Sequence, residues 1–470
     1  MEQTQLETIL ASESISAATL SPDQITRDVK RVAIFTEAFL PKVDGVSRTA
    51  LLTIKYLEST GRDLIVFAPA PAPARVSRTP IYGVPSLWLP FYPETRVPPP
   101  WPLVLARLHA FQPDMIHLFS PFSLGMIGMI AGSLFNVPVI ANYQTDLPAY
   151  TRSYGFGLLC TAVIGLLRYL HNGCHLTLAP SRATVAELRA WGFRRVRLWE
   201  RGVDSERFTP SRRSDEWRQR LLAGRDRQRL LVLYVGRMAK EKHLETLRDL
   251  AREPGVALTL VGGGEHLPEI RRALGDSDAH FTGYLVGDDL ANAFAAADAF
   301  VFPGPEETFG QVVLEAMASG LPVIVTDRGG PQTLVTDGRN GYICPVDDAA
   351  AFAERVRRLR DDPVLRECMS REARQAAEDR PWLAIMQQLE VYYAEALRLE
   401  RRRTRIRPHP VIRTRRWLQG ACYVGAIAPL AFLILALSLA ITAAIHRLPA
   451  RKRWPRLQSF SARWKREPER

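Results

Sequence analysis

The chain has 470 residues, of which 47% are hydrophobic and 24% charged, a composition typical of a globular protein with two or three domains. Its formal net charge is +13. Between Val391 and Arg470 there are 18 lysines and arginines against 4 acids, so residues 1–390 are close to neutral. A basic groove for nucleic acid on the main body is therefore excluded from the expected functions.

The first 30 residues are polar and mildly acidic, and they lack the basic and apolar regions of a signal peptide. We expect 1–30 to be a disordered lead-in. The five cysteines form no CxxC motif and have no metal-ligand spacing, which favours reduced thiols in a cytoplasmic compartment.

Strand and helix patterns alternate from residue 31. They predict a strand at 31–36, an amphipathic helix at 46–59 and a strand at 63–68, with further short strands in DMIHLFS, PVIANYQTD and LTLAPS. The proline-rich passage 68–102 is predicted to be a long surface excursion whose interior is unsuited to regular structure. Such alternation indicates a parallel sheet with right-handed crossovers.

A second series of strands and helices begins near residue 229. We predict an α/β protein with two facing Rossmann-like domains, an N-terminal one at 31–205 and a C-terminal one at 206–400. Ligands of such sheets bind beyond the carboxyl ends of the strands, so the cleft between the domains is the expected active site.

The tail, 401–470, contains an uncharged stretch of 25 residues, Ala421 to Ile445, between two arginine-rich flanks. A stretch of ~20 apolar residues crosses a bilayer, and we expect this one to insert; a buried core helix is the alternative. Pro429 also allows a shallow re-entrant hairpin. The flanks are expected to favour anionic lipid head groups.

Two basic residues follow a predicted strand in YVGRMAKEKHLETL. Arg237 and Lys242 are placed at the start of the next predicted helix, where free amide groups and the helix dipole attract anions. This arrangement is typical of a phosphate site. The alternative is a solvated helix cap in which the charges of Lys240, Glu241 and Lys242 pair with one another. The nearby GGG is not a dinucleotide fingerprint, which disfavours a nicotinamide enzyme.

Two acids bracket a predicted helix start in PEETFGQVVLEAMASGLPVIVT. If the helix begins between residues 308 and 311 and ends at Gly320, Glu307 lies in the loop before it and Glu315 on its body. A diphosphate at the helix start would have one carboxylate at each end, suited to the paired hydroxyls of a ribose and a hexose. The alternative is two surface acids, one of them capping the helix.

These motifs in this order, RxxxEK, the glycine-rich turn, FTGYL and ExxxxxxxE…SGLPV, resemble the retaining glycosyltransferases of group 1, or family four, which have the GT-B fold. TEAFLPKVDGVSRT and NYQTDLPAYTRSYGF resemble the same family. The resemblance covers about 31–380 and is strongest to bacterial mannosyl-, glucosyl- and sulfoquinovosyl-diacylglycerol-type enzymes.

The resemblance implies roles for individual residues. The catalytic residues would be Arg237 and Lys242, which hold the donor diphosphate, and Glu307, which contacts the transferred sugar. The donor would also be bound by Gly45, Gly283, Tyr284, Phe309, Gly310 and Glu315. Gln144 and Asp146 would lie on the sugar or acceptor side; many relatives have a histidine where this chain has Gln144. His117, at the end of a predicted strand, is more simply a structural residue.

The resemblance also implies a mechanism and a place of action. The anomeric configuration is retained, the leaving diphosphate helps to deprotonate the acceptor hydroxyl, and neither a protein nucleophile nor a metal or other cofactor is expected. The expected reaction moves a hexose from a UDP- or GDP-linked sugar to a membrane lipid, such as diacylglycerol or a glycolipid, at the cytoplasmic face of the membrane. The alternatives are a sugar-nucleotide epimerase or phosphorylase on the same fold, and a non-catalytic membrane scaffold.

Overall fold

The computed structural model describes residues 28–41, 44–89, 92–97, 102–149 and 160–406. Its strands form two large, mainly parallel sheets and one separate antiparallel pair. The N-terminal strands are β1 (Arg31–Thr36), β2 (Asp63–Pro69), β3 (Arg75–Val76), β4 (Thr79–Val84), β5 (Leu87–Leu89), β6 (Tyr92–Val97), β7 (Met115–Phe119), β8 (Val139–Asn142), β9 (Leu176–Ala179) and β10 (Val196–Leu198). The C-terminal strands are β11 (Leu230–Val235), β12 (Val256–Val261), β13 (His280–Gly283), β14 (Ala299–Phe302), β15 (Val323–Thr326) and β16 (Gly341–Cys344).

Helices cover the faces of both sheets. The N-terminal helices are α1 (Gly45–Ser59), α2 (Pro102–Phe111), α3 (Ser123–Phe135), α4 (Cys160–Gly173) and α5 (Arg182–Ala190). Those that follow are α6 (Asp215–Leu222), α7 (Leu267–Leu274), α8 (Gly287–Ala296), α9 (Gln311–Ala318), α10 (Ala349–Asp361), α11 (Pro363–Glu378) and α12 (Trp382–Ile406). This is the predicted α/β architecture with two Rossmann-like units.

The sheet orders locate the places where ligands bind. The N-terminal sheet runs β10-β9-β8-β7-β1-β2-β4-β3, and the C-terminal sheet runs β13-β12-β11-β14-β15-β16. Chain order reverses between β7 and β1 in the first sheet and between β11 and β14 in the second. Because loops diverge from the sheet at such reversals, each creates a crevice at the carboxyl ends of its strands. The loops after β1, β11 and β14 are thus the ones that can build a site.

The proline-rich passage is more regular than predicted. Strand β4 lies in the main sheet, parallel to β2, with Ile81 beside Val66. Strand β3 pairs with it antiparallel, and β5 pairs with β6. The prediction of no regular structure within 68–102 was wrong because proline is compatible with strands near a sheet edge, and Ile81 and Val84 still reach the core.

Helix α12 returns from the C-terminal half to the N-terminal sheet. Its apolar residues recur at helical spacing and are buried in the same cluster as α1 and β1. They are Trp382, Ile385, Met386, Leu389, Tyr392, Tyr393 and Ala396. The predicted boundary between 205 and 206 stays a prediction, but packing attaches this helix to the domain that precedes that boundary rather than to 206–400.

The chain crosses between the two halves at two adjacent places. The first crossing follows β10 and the second precedes α12. They touch, because Val203 N–H donates to the carbonyl of Arg380 over 3.0 Å and Val203 forms a bridge with Pro381. Gly202 is required here, since a Cβ would overlap the backbone of Trp382.

No helix in the described ranges is both long and apolar enough to cross a bilayer. The predicted membrane segment 421–445, nearly all of the tail and most of the lead-in 1–30 lie outside those ranges.

Candidate active site

The ammonium of Lys242 and the carboxylate of Glu307 meet at the carboxyl ends of two neighbouring strands. Their atoms Nζ and Oε2 are 2.9 Å apart. Lys242 is the last residue of a 3₁₀ turn that follows β11, and Glu307 lies in the loop that follows β14. These strands are adjacent in the sheet, which brings together residues that are 65 positions apart in sequence. The two predicted site residues therefore form one unit.

The predicted helix after Arg237 is absent. Residues Lys240–Lys242, Leu244–Arg248 and Leu250–Arg252 form three short 3₁₀ turns, with His243 in the left-handed region at φ 47°. The prediction of an α-helix start here was wrong, so the helix dipole contributes little to anion binding. Arg237 instead pairs with the buried Glu241, four residues later. Positive charge at this edge comes from side chains.

Neighbouring charges keep the Lys242–Glu307 pair ionised. Burial alone would raise the pKa of Glu307, but the Lys242 ammonium and the Arg201 guanidinium hold that pKa below its usual value. Burial would likewise lower the pKa of Lys242, and the Glu307 carboxylate raises it instead. An ammonium has three N–H groups. One contacts Glu307, and the others can donate to an anionic ligand.

Glycines allow the site loops to pack on one another. A Cβ at Gly330 would overlap the carbonyl of Thr308, and the Gly330 N–H donates to the carbonyl of Glu307 over 2.6 Å. On the other side, a Cβ at Gly262 or Gly264 would overlap the backbone at Gly236 or Met238. The GGG turn is thus explained by backbone packing against the loop of Arg237.

Helix α9 begins and ends as predicted. Gly310 precedes it at φ 94°, where a Cβ would be 2.9 Å from the ring of Pro331. Gly320 follows it at φ 75°. Phe309 is buried, and its N–H donates to the carboxylate of Glu307. The loop before the helix therefore places Glu307 through its own backbone.

Glu315 is held across the cleft by a residue that the sequence analysis missed. Its carboxylate is 1% exposed and forms an ion pair with Arg48 of α1, in the N-terminal half. Burial raises the pKa of Glu315, and Arg48 opposes that rise. Arg48 therefore occupies one oxygen of the carboxylate that the sequence analysis assigned to the ribose.

The N-terminal half meets the Glu307 loop directly. Thr308 Oγ1 donates to the carbonyl of Gln144 over 3.0 Å, and Thr184 Oγ1 donates to the carbonyl of Thr308 over 3.2 Å. The side-chain oxygen of Gln144 is buried and accepts no hydrogen bond from the described residues. Asp146 accepts from the N–H of Ala149 over 3.0 Å.

Gln144 lines a small cavity in the cleft wall. The cavity, of about 10 Å³, also borders Thr49, Asn142 and Arg201 and has room for about one water molecule. His117 lies behind it, with Nε2 3.0 Å from Asn142 Oδ1 and Nδ1 3.0 Å from the Tyr393 hydroxyl. Burial lowers the pKa of His117 to about 4, so this side chain is a neutral structural residue.

Gly45 begins α1, where the Asp44 carboxylate accepts from the N–H groups of Val46 and Ser47. A Cβ at Gly45 would meet no other part of the described chain within 4 Å, and its φ is not in the left-handed region. The fold therefore does not explain this glycine.

Gly283 and Tyr284 lie at the end of β13, two strands from β11 in the sheet. Gly283 has φ 76° and accepts from the N–H of Gly262 over 2.8 Å. Tyr284 is 70% exposed, and its hydroxyl donates to the carbonyl of Gly263 over 3.0 Å. Both residues lie beside the GGG turn, at the β13 edge of the C-terminal sheet. Their contact with a base stays a prediction.

Comparison with known proteins decides the family. The family model "Glycosyl transferases group 1" matches residues 229–362, and the model "Glycosyltransferase Family 4" matches residues 43–207. Together these matches span more than half of the chain. The chain belongs to this glycosyltransferase family. The resemblance inferred from the motifs is thereby confirmed, and the chain is an enzyme that transfers glycosyl groups from nucleotide sugars.

Individual relatives agree with this assignment. This glycosyltransferase is 41% identical to a GDP-mannose-dependent alpha-mannosyltransferase of Mycobacterium tuberculosis, over 68% of this chain and 84% of that protein. It is 32% identical to the sulfoquinovosyl transferase SQD2 of Arabidopsis thaliana, over 79% of this chain and 74% of that protein. The structure of sucrose-phosphate synthase from Thermosynechococcus elongatus matches with a TM-score of 0.64 at 22% identity, over 78% of this chain and 98% of that one, and shows the shared fold.

The described part of the glycosyltransferase has no group of three or more His, Cys, Asp or Glu side chains able to hold a metal ion. The absence of a catalytic metal stays a prediction. Arg237, Lys242, Arg48 and Arg201 place positive charge in this part of the cleft, and the sequence analysis identified the first two.

Proposed function

We propose that this glycosyltransferase transfers mannose from GDP-mannose to a lipid acceptor at the cytoplasmic face of the membrane, with retention of the anomeric configuration. The observation that carries the proposal is the pairing of the buried Lys242 with the partly buried Glu307 at the carboxyl ends of β11 and β14, facing the N-terminal half. The relatives support the donor, because several are named GDP-mannose-dependent alpha-mannosyltransferases. The names of SQD2 and of alpha-monoglucosyldiacylglycerol synthase support a lipid acceptor.

The proposed reaction breaks the bond between the sugar C1 and the diphosphate oxygen, which keeps the electron pair. The acceptor hydroxyl oxygen forms the new bond to C1 on the same face, and its proton passes to the leaving diphosphate. Lys242 and Arg237 stabilise the negative charge that develops on the leaving group. Glu307 holds the ammonium in place and accepts hydrogen bonds from sugar hydroxyls, and Gln144 Oε1 is the acceptor for a further hydroxyl.

The deciding experiment offers the purified full-length protein, in lipid nanodiscs, a panel of nucleotide sugars and candidate lipids. Mass spectrometry identifies the products, and NMR determines the anomeric configuration. We expect a mannolipid with the α configuration of the donor. Conversion of donor without transfer, or a product of inverted configuration, would contradict the proposal.

Attachment to the membrane is tested by removing residues 407–470, which leaves α12 intact. We expect the truncated protein to appear in the soluble fraction and still to hydrolyse GDP-mannose slowly, because the described site lies entirely before residue 407. Fractionation followed by a donor-hydrolysis assay measures both. The full-length Lys242→Met variant is the control and should stay with the membrane. Truncated protein that remains bound would show that the folded body attaches by itself.

Gly45 provides a test of the donor site that is independent of stability. Gly45→Ala adds a Cβ where the chain leaves space, so we expect an unchanged or slightly higher melting temperature. If the diphosphate lies against this backbone, the donor KM rises about 10-fold, as for a lost hydrogen bond to a charged group. Gly165→Ala, equally unobstructed on α4, is the control and should leave KM unchanged. An unaltered KM in the Gly45 variant would remove this residue from the donor site.

A further inference from the structure

Among the described residues, two arginines are almost completely buried, and their surroundings differ. Arg62 is 2% exposed and uses its guanidinium fully: it donates to both oxygens of Glu390, to the carbonyl of Val29 and to Thr60 Oγ1. This is the pattern of a structural arginine, in which the cost of burying the charge is compensated by a paired carboxylate. The hydrogen bonds of the second buried arginine can be compared with this pattern.

Arg201 is 6% exposed and, among the described residues, makes one hydrogen bond, from an Nη atom to the carbonyl of Gly45 over 2.8 Å. No carboxylate of the described chain lies within ion-pair distance of it. Glu307 and Asp44 act on it only from a distance, and burial lowers the pKa of Arg201 to about 10. A guanidinium has five N–H groups, so most of its donors are unused by this part of the chain.

The position of Arg201 in the cleft is fixed by its neighbours. Trp199, two residues earlier, donates from its indole to the carbonyl of Ile385 over 2.9 Å. Gly202, the next residue, accepts from the side chain of Gln311 over 3.1 Å. The guanidinium is thus held between the start of α1 and the start of α9, with the Glu307 carboxylate within electrostatic range. This is the place where the two halves face one another.

We propose that Arg201 binds the diphosphate of the nucleotide-sugar donor, from the side opposite Arg237 and Lys242. This assignment rests on the proposed function. A planar guanidinium can make paired hydrogen bonds to phosphate oxygens, and an anion would supply the charge compensation that the described protein does not. The donor would then be held by cations from both halves.

The test measures binding of GDP, GMP and guanosine to the full-length protein and to Arg201→Met by isothermal titration calorimetry. We expect GDP affinity to fall about 10- to 100-fold, the loss typical of hydrogen bonds to a charged group. GMP should lose less, and guanosine nothing. Arg248→Met, an exposed arginine of the same half as Lys242, should leave all three affinities unchanged.

Arg201→Lys keeps the charge and most of the volume, so it is the second variant should methionine prevent folding. We expect it to fold and to bind GDP with intermediate affinity. GDP affinity equal to that of the unmodified protein in either folded variant would overturn the assignment. An equal loss for GDP and guanosine would also overturn it, because it would indicate a purely structural arginine. If the unmodified protein itself does not bind GDP, the proposed donor is wrong.

Discussion

Replacing Lys242 with methionine is expected to lower kcat/KM for the nucleotide-sugar donor about 10²–10³-fold, the range found when one group that stabilises a developing negative charge is removed. Methionine keeps an apolar stem of similar length but removes the ammonium, whose Nζ lies 5.4 Å from the centre of the Phe302 ring. The leaving diphosphate of the proposed reaction would then lose one of the positive charges that stabilise it. Steady-state kinetics with a radiolabelled donor measure the effect.

Loss of the ammonium also leaves the partly buried carboxylate of Glu307 without its nearest partner, so stability must be separated from catalysis. Glu307→Gln alone and Lys242→Met with Glu307→Gln complete a double-mutant cycle. We expect the double variant to regain much of the melting temperature lost by Lys242→Met and to remain inactive. A folded Lys242→Met protein within threefold of normal activity would refute the role of Lys242.

The second large effect concerns stability. Glu390→Leu on α12 is expected to lower the free energy of unfolding by about 3–5 kcal/mol, because the guanidinium of Arg62 remains buried without its carboxylate. Tyr56, whose hydroxyl is 3.2 Å from the same carboxylate, loses a contact too. Urea denaturation of the full-length protein, followed by tryptophan fluorescence, measures the change.

A matched control lies on the same helix. Glu395 pairs with Arg197 where both side chains are partly exposed, so Glu395→Gln should cost less than about 1 kcal/mol. Arg62→Met combined with Glu390→Leu should recover most of the loss, since a well-packed apolar pair replaces a buried ion pair at little cost. If Glu390→Leu destabilises no more than Glu395→Gln, the pair is not a structural link between α12 and the N-terminal sheet.

Sequence patterns predicted the elements whose periodicity is local. The unit β1–α1–β2 has the predicted order and nearly the predicted bounds, and α9 begins within the predicted range 308–311 and ends before Gly320 as predicted. The proximity of Lys242 and Glu307 is consistent with the predicted order of strands and helices, because the loops that follow neighbouring parallel strands lie at the same edge of the sheet. The sequence pattern gave a wrong prediction after Arg237, where residues expected to form an α-helix adopt 3₁₀ turns on either side of His243, whose backbone is in the left-handed region.

Contacts between segments that are distant in the chain could not be predicted from the sequence. Arg48 meets Glu315 across 267 positions. Arg48 lies in the motif TEAFLPKVDGVSRT, but its position in a predicted helix does not show which distant residue it reaches. Arg201 was not identified, because its significance lies in the partners it lacks within the described chain. The apolar residues of α12 recur at helical spacing, but this spacing does not show which of the two sheets receives them.

The two adjacent crossings between the halves restrict how this enzyme moves. A sideways separation would have to stretch both backbones at Val203 and Arg380, whereas rotation about the line joining them needs only small dihedral changes. Any rotation of one half relative to the other would therefore have its axis near Val203 and Arg380, and the residues of the two crossings, such as Gly202 and Pro381, would be displaced least.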